Sequence, residues 1–205
     1  MMFREINPYF IDKRILKQAA EMLRSGGVII FPTDTVYAIG CDLKNKKGLQ
    51  ELARIKGVKL NKVNFSIICS DLSNLSEYVK QIDRPTFKLL KHHLPGPFTF
   101  ILPASNEIPR LFDTNKKEIG IRIPNNDITL ALVNALGNPI ATTSLHNPDD
   151  EIQDYYTDPT AIYEHYKHKV SMVIDGGFGQ LEGSTVVDCT KGEFEIIRQG
   201  IGILE

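Results

Sequence analysis

Residues 27–40 read Gly-Val-Ile-Ile-Phe-Pro-Thr-Asp-Thr-Val-Tyr-Ala-Ile-Gly. The apolar run 28–31 has the length of a buried strand, and Pro32 ends that strand because it lacks a backbone N–H. Hydroxyl and carboxylate groups follow directly, at Thr33, Asp34, Thr35 and Tyr37. Ligands of open α/β sheets bind beyond the carboxyl ends of the strands. The stretch therefore predicts a buried strand that delivers polar side chains to a binding site.

The composition is typical of a globular protein with a large core. The chain has 205 residues, of which 42% are hydrophobic and 24% charged, and its net charge is −1. A chain of that length buries a core without disulfides or metals. Because the total charge is close to zero, any affinity for nucleotides or nucleic acid must come from a local patch of cations. We expect one domain over residues 1–205, with its core at about 10–203.

The cysteines and the N-terminus indicate an intracellular protein. Cys41, Cys69 and Cys189 are odd in number and far apart, so they form no disulfide framework and fit a reducing compartment. The N-terminal residues are too charged for a signal peptide, and no apolar run reaches the length of a transmembrane helix. The histidine pairs lack further ligands, so we expect no metal site. These features predict a cytoplasmic protein with no membrane partner.

Strand and helix patterns alternate along most of the chain. Runs of strand length occur at 28–31, 65–69, 98–102, 119–123, 140–144, 170–174, 185–188 and 194–198. Helical patterns occur at 15–23, 49–55, 71–78, 85–94, 128–136 and 159–168, with Asp12, Asp71 and Asp127 as predicted caps. The alternation favours an α/β fold, and the last strands follow one another without helices. We predict a twisted open mixed sheet flanked by helices, with a long polar loop at 145–158.

Four cations occur within nine residues, at Arg54, Lys56, Lys59 and Lys62. Clustered lysine and arginine side chains neutralise phosphate oxygens. The same pattern also arises on a solvated helix face that binds nothing. The spacing alone leaves both interpretations open.

One arginine lies inside a predicted strand. Arg122 is flanked by Ile121 and Ile123, so alternation places its guanidinium on the opposite face from two apolar residues. That position fits a clamp for a carboxylate or phosphate. It equally fits an exposed arginine with a surface partner.

The later strands contain further candidates. Thr143 and Ser144 place two hydroxyls at the end of a predicted strand, where they suit either phosphate binding or turn capping. Arg198 lies in the last predicted strand, where it suits either a ligand or a salt bridge that closes the strand.

The motif Pro32-Thr33-Asp34-Thr35-Val36-Tyr37-Ala38-Ile39-Gly40 resembles the signature of the YrdC/YciO family. Later motifs are similar to that family's as well: Pro95-Gly96-Pro97-Phe98-Thr99, Gly120-Ile121-Arg122-Ile123-Pro124, Ala141-Thr142-Thr143-Ser144, Gly183-Ser184-Thr185-Val186-Val187-Asp188 and Ile197-Arg198-Gln199-Gly200. The resemblance implies a YrdC-like fold with a concave basic cleft. The best-known members of the family make threonylcarbamoyl-AMP from L-threonine, bicarbonate and ATP.

The resemblance also implies roles for individual side chains. The residues expected to contact the nucleotide are Lys56, Lys59, Thr143, Ser144 and Arg198. The residues expected to hold the amino acid or its carbamate are Thr33, Thr35, Arg122 and Ser184. ATP would be a substrate and would carry Mg²⁺ with it. Catalysis would rest on positioning and charge neutralisation, with no covalent intermediate on the protein.

Several motifs depart from the family pattern. Lys-X-Arg-Pro reads Lys56-Gly57-Val58-Lys59, Ser-X-Asn reads Ser144-Leu145-His146 with Asn147 one residue late, and Cys69 stands where some members carry His. These changes are more similar to the YciO branch. The favoured function is a threonylcarbamoyl-AMP synthase-like nucleotidyltransferase linked to tRNA threonylcarbamoyladenosine modification. One alternative is a non-catalytic protein that binds double-stranded RNA or tRNA, which would need cations over a wide face. Another is a nucleotide enzyme for a different small carboxylate.

Overall fold

A computed structural model describes residues 1–145 and 155–205. Within these residues the strands are β1 (Met2–Glu5), β2 (Ile29–Phe31), β3 (Ala38–Asp42), β4 (Ser66–Ile68), β5 (Phe98–Pro103), β6 (Glu118–Arg122), β7 (Ile140–Ser144), β8 (Met172–Asp175), β9 (Thr185–Asp188) and β10 (Glu195–Arg198). The helices are α1 (Lys13–Arg24), α2 (Lys46–Ile55), α3 (Leu75–Tyr78), α4 (Arg84–His93), α5 (Glu107–Phe112), α6 (Asp127–Leu136) and α7 (Pro159–Tyr166), with a 3-10 turn at Leu60–Lys62.

All of these strands belong to one sheet. Their order is β1-β8-β2-β3-β7-β4-β6-β5-β9-β10. The pairs β1–β8, β2–β8, β4–β6 and β5–β9 are parallel, and the other neighbours are antiparallel. The predicted mixed sheet flanked by helices is therefore confirmed.

Each face of the sheet contributes to a separate apolar core. On one face, α1 and α6 pack against each other and cover strand residues that include Ile29, Phe31, Ile68, Ile140 and Met172. On the other face, residues of the opposite parity join a larger cluster that includes side chains of the remaining helices. Because both faces are covered, strands such as β2 are buried at every position, which explains their continuous apolar sequence.

Helices α1 and α6 cover only part of their face. In β4, Ile68 lies in the α1/α6 core, whereas Ser66, which alternation places on the same face, lines an open cavity. In β7, Ile140 and Thr142 divide in the same way. The sheet floor therefore passes from a covered apolar half to an uncovered polar half, and the uncovered half is the cleft.

One strand lies inside the stretch that was expected to be a loop. Pro32 was predicted to end the strand and the residues after it to supply a site, but Ala38–Asp42 pairs with β2 and β7 as β3. Gly40 lies in the centre of β3, where a Cβ would come 2.6 Å from Ile140 Cγ2 and 2.8 Å from the Ala141 carbonyl oxygen. The glycine thus allows β3 and β7 to approach closely.

Some helix caps also differ from the predicted ones. Asn126, not Asp127, caps α6, because its Oδ1 accepts a hydrogen bond from the Thr129 N–H. Asp71 accepts from the N–H of Ser73 and precedes α3, which begins only at Leu75. Asp12 caps α1 as predicted. Most of the predicted loop at 145–158 lies outside the described residues.

Candidate functional site

The cleft above β4, β6, β5 and β9 has a volume of about 730 Å³ and a strongly cationic lining. Among the described residues, its charged lining consists of Lys62, Lys116, Lys117, Arg122, Arg198 and one acid, Glu118. Hydroxyls of Ser66, Thr99, Thr142, Thr143, Ser144 and Ser184 also line it. The excess of cations over carboxylates makes this cavity suited to an anion.

Arg122 is the most deeply buried of these cations. Arg122 is 4% exposed. Its neighbours Ile121 and Ile123 lie in the core on the other side of the sheet, as strand alternation predicted. Its Nη2 donates to Thr35 Oγ1 at 3.0 Å and lies 3.4 Å from Asp34 Oδ1. Its Nε is buried and has no hydrogen-bond partner among residues 1–145 and 155–205. The alternative of an exposed strand arginine is therefore wrong.

The electrostatic environment leaves the charge of Arg122 under-compensated. Burial is the main cause that lowers the pKa of Arg122, and the nearby Arg198 lowers it further, while Asp34 raises it. A lowered arginine pKa means that the cationic form has lost more solvation than its partners restore. An anion in the cleft would restore part of that loss.

The loop after β2 contacts Arg122 through Asp34 and Thr35. Thr33 Oγ1 donates to the Val36 carbonyl at 2.7 Å and accepts from the Thr35 N–H at 3.0 Å, so this hydroxyl stabilises the turn itself. Asp34 Oδ2 accepts from the Asn125 N–H at 2.9 Å. Neither Thr33 nor Thr35 is among the residues that line the cleft. Thr35 thus contacts the arginine and Thr33 supports the turn that carries Thr35, and the contact of either threonine with an amino acid stays a prediction.

Ser184 and Arg198 meet in the part of the cleft where Arg198 is close enough to Arg122 to affect its pKa. The Ser184 and Thr99 hydroxyl oxygens are 2.7 Å apart. Arg198 Nη2 donates to the Ser184 carbonyl at 2.8 Å and lies 3.3 Å from the Ser184 hydroxyl. Arg198 is exposed and forms no ion pair with any described residue, so the alternative of a strand-closing salt bridge finds no support.

The end of β7 supplies the predicted hydroxyls. Thr143 and Ser144 line the cleft, and so does Thr142, whose hydroxyl donates to the Ile39 carbonyl at 3.0 Å. The next motif residues, His146 and Asn147, lie outside the described residues. The described part of this motif therefore lines the cleft as far as Ser144.

The cation cluster at 54–62 is divided between different surroundings. Lys62 lines the cleft, whereas Lys56 and Lys59 are not among its lining residues. Lys56 follows α2 and is half-buried, and burial lowers its pKa. Arg54 pairs with Glu51 at 2.6 Å on the helix surface. The structure thus brings Arg122, Arg198, Ser184, Thr143 and Ser144 together but leaves Lys56 and Lys59 outside the cavity.

Two cleft lysines were not among the predicted residues. Lys116 Nζ donates to Asn64 Oδ1 at 3.3 Å and to the Phe65 carbonyl at 3.2 Å, and burial lowers its pKa to about 8. Lys117 is exposed beside it. The sequence did offer a signal for Lys116. It lies an even number of residues before Arg122, so strand alternation places both side chains on the same face.

The described residues contain neither a metal-binding cluster nor a membrane-spanning helix. Nowhere among them do three or more His, Cys, Asp or Glu side chains come together in a way that could hold a metal ion. No helix in the same part of the chain has both the length and the apolar character needed to cross a membrane.

The comparison with known proteins gives a family match and close relatives. The family model Sua5_yciO_yrdC, described as "Telomere recombination", matches residues 21–200. The uncharacterized protein YciO of Escherichia coli (strain K12) is 38% identical over 201 residues, which are 98% of this chain and 96% of the relative. The crystal structure of E. coli YciO matches with a TM-score of 0.88 at 37% identity, over 99% of this chain and 97% of that one.

More distant relatives include enzymes. The threonylcarbamoyl-AMP synthase of Pyrococcus abyssi (strain GE5 / Orsay) is 28% identical over 93% of this chain and 55% of the relative. The crystal structure of P. abyssi Sua5 complexed with L-threonine matches with a TM-score of 0.86 at 26% identity, over 98% of this chain and 58% of that one. This chain thus spans little more than half of the P. abyssi protein. The matches to the YciO and Sua5 structures confirm the predicted fold class.

Proposed function

This chain belongs to the Sua5/YciO/YrdC family, and from that premise we propose that it is a nucleotidyltransferase of the threonylcarbamoyl-AMP synthase type. Its substrates would be L-threonine, bicarbonate and ATP. Its products would be threonylcarbamoyl-AMP, pyrophosphate and water. The activated carbamoyl group would then pass to adenosine in tRNA, as the resemblance implies.

The reaction proceeds in two bond-forming steps. The threonine amine attacks the carbon of bicarbonate, and loss of water leaves an N-carboxylate. An oxygen of this carboxylate attacks the α-phosphorus of ATP, and the bond to the bridging oxygen breaks to release pyrophosphate. The amine attacks as a neutral group, but all three substrates carry negative charge, so the main task of the protein is to hold negative groups close together and to balance charge in the transition state. Mg²⁺ would arrive with ATP.

One observation carries the proposal, which is the buried guanidinium of Arg122 with an Nε that no described residue pairs. A buried charge that lacks full pairing costs several kcal/mol of stability, and an unmade hydrogen bond adds about 1–3 kcal/mol. A fold that keeps such a group beside a cationic cavity is best explained by an anionic ligand. L-threonine, with which P. abyssi Sua5 was crystallised, carries a carboxylate of that kind.

The surrounding residues divide the remaining work. Arg122 and Ser184 would hold the carboxylates of the amino acid and its carbamate, and Arg198, which meets Ser184, would contact the nucleotide beside them. Thr143 and Ser144 would donate to phosphate oxygens. Lys56 and Lys59 remain proposed nucleotide contacts through the family pattern alone, since the cavity does not reach them.

Pyrophosphate release measured with each substrate omitted in turn tests the proposal. Release should require L-threonine, bicarbonate and ATP together. Arg122→Gln should lower kcat/KM by about 100-fold, the loss typical of one buried donor to a developing anion. Arg110→Gln removes an exposed arginine that pairs with Glu107 and should change nothing.

Two results would contradict the proposal. Folded wild-type protein that releases no pyrophosphate with all three substrates would exclude this activity. If the same protein retained double-stranded RNA with a steep dependence on salt, the RNA-binding alternative would take its place.

A further inference from the structure

The cleft has a second cationic group far from Arg122. Lys62, Lys116 and Lys117 come from the segments before β4 and β6, and we name them the lysine end of the cleft. No described carboxylate lies within ion-pair distance of any of the three. The lysine end thus gathers three positive charges that form no ion pair with a described residue, and Glu118, whose charge acts on Lys116, is the acid nearest to them in the same lining.

The two cationic groups are separated by the length of β6. Residues 118 and 122 bound that strand, and a rise of about 3.3 Å per residue places their Cα atoms about 13 Å apart. Lys116 precedes Glu118 by two residues, so it lies farther still from Arg122. A ligand that reaches both groups must be elongated and must carry negative charge at both ends.

The floor between the two groups is low and polar. Gly120 lies midway along β6, where a Cβ would come 2.7 Å from Ser66 Oγ and 3.0 Å from Thr99 Cγ2. Because no side chain rises from this position, the cavity continues without interruption from Arg122 to the lysine end. The lining is open to one ligand along its whole length.

Hydrogen bonds between the two loops fix the lysine end before any ligand binds. Thr114 Oγ1 donates to the Asn61 carbonyl at 3.0 Å, which ties the segment before β6 to the segment before β4. Lys116 Nζ adds a second tie through Asn64 Oδ1 and the Phe65 carbonyl. With its oxygen so engaged, the Asn64 amide has its N–H groups left to donate. Preorganised donors of this kind are typical of phosphate sites.

We propose that the lysine end binds the β- and γ-phosphates of ATP and holds the pyrophosphate as it leaves. This inference rests on the proposed function, because it assigns one part of the same substrate to one part of the same cleft. Lys62 and Lys117 supply exposed charges that meet the terminal phosphate, and Lys116 supplies a half-buried donor. Charge that develops on the leaving group is then neutralised where it appears.

The test uses inorganic tripolyphosphate as the probe, in the absence of L-threonine and bicarbonate. Isothermal titration of the full chain should show binding that Lys62→Ala and Lys117→Ala each weaken about 5- to 10-fold, the loss expected for one charge-assisted contact. The double variant should weaken it further and should flatten the dependence of affinity on salt. Lys17→Ala removes an exposed lysine of α1 outside the cleft and should leave binding unchanged. Thermal melting of each variant verifies that it folds. Because Lys62 and Lys117 are exposed, we expect their replacement to leave the fold intact.

A further variant separates the two ends of the cleft. Arg122→Gln should weaken binding of L-threonine but leave tripolyphosphate affinity within about twofold of the wild-type value. The inference is overturned if the wild-type chain does not bind tripolyphosphate, if the lysine variants bind it as the wild type does, or if Arg122→Gln loses as much affinity as they do. Because the probe needs no catalysis, tripolyphosphate binding can succeed while pyrophosphate release fails, and the reverse can also occur. The two proposals therefore fail by different results.

Discussion

At the scale of single residues, the chain places Arg122 where its burial costs the fold stability. Strand alternation predicted its face correctly, but no local pattern indicated that Asp34 and Thr35 would be its partners. These residues are 88 and 87 positions away along the chain and become neighbours only through the order of the strands. The sequence places the Asp34 carboxylate in the polar segment after β2 but indicates no role for it. Long-range partners of this kind depend on topology, which local patterns do not determine.

Lys116 offers a prediction about pH at the same scale. Burial lowers its pKa to about 8, and the Glu118 carboxylate opposes that shift. The other charged side chains that line this end are Lys62 and Lys117. Because only the protonated amine attracts phosphate, affinity for tripolyphosphate should fall as the pH rises through that pKa. Between pH 7 and pH 9 the fall should reach up to about tenfold, since roughly one amine in ten stays protonated one unit above its pKa.

The matched variant for this prediction is Lys116→Arg, which keeps its charge at every pH of the titration. Its affinity for tripolyphosphate should change less between pH 7 and pH 9 than the wild-type affinity. Equal slopes for the two proteins would show that Lys116 does not titrate against the ligand.

At the scale of helices and strands, most elements could be predicted, and the exceptions have physical reasons. Apolar runs and caps identified β2, β5, β7, α1 and α6 to within a few residues. The sequence of β1 alternates weakly and that of α5 contains Pro109, so neither was predicted. The strand β3 was missed because its residues belong to the same motif as the polar loop. Signature motifs of this kind combine a loop and a strand, and their strand part is easily overlooked.

The strand β3 also leads to a prediction about stability. Gly40→Ala would place a methyl group 2.6 Å from Ile140 Cγ2 and 2.8 Å from the Ala141 carbonyl oxygen. Because the second of these atoms is backbone, β3 and β7 would have to separate. We expect a loss of about 1–3 kcal/mol in the free energy of unfolding, as for other overpacked cores. Urea denaturation measures it, and a variant as stable as the wild type would show that the strands have room to adjust.

At the scale of the whole molecule, the sheet explains which predicted site residues converge. Arg122, Ser184, Arg198, Thr143 and Ser144 come from distant segments, and the strand order brings them above one uncovered part of one face. Lys56 and Lys59 shared a dense local cluster with Lys62, yet only Lys62 reaches the cavity. Proximity along the chain was therefore a weaker guide than the position of a residue on a strand.

A ligand that spans this cleft should stabilise the whole fold. A compound that binds only the folded chain adds about 2.7 kcal/mol at 100 times its Kd, which for a chain of this size raises Tm by about 5–10 °C. We expect such a rise with ATP, bicarbonate and L-threonine together, measured by differential scanning calorimetry. Arg122→Gln should lose the part of the rise that L-threonine contributes, and Arg110→Gln should keep the whole rise. An L-threonine contribution that Arg122→Gln leaves intact would place the amino acid elsewhere.

The last strand gives the cleft an asymmetric construction. β10 is exposed at all four positions, and among the described residues it pairs with β9 alone, with an irregular register before Arg198. Arg198 therefore lines the cleft from the edge strand β10, which has a neighbour on one side only within the described part of the chain. Arg122 lines it from β6, which lies inside the sheet. An anion held by both Arg122 and Arg198 would link the edge strand of the sheet to an interior strand. Occupancy of the cleft would then add a tie between the edge strand and the interior of the sheet, so the cohesion of β10 with the rest of the sheet would depend on the ligand.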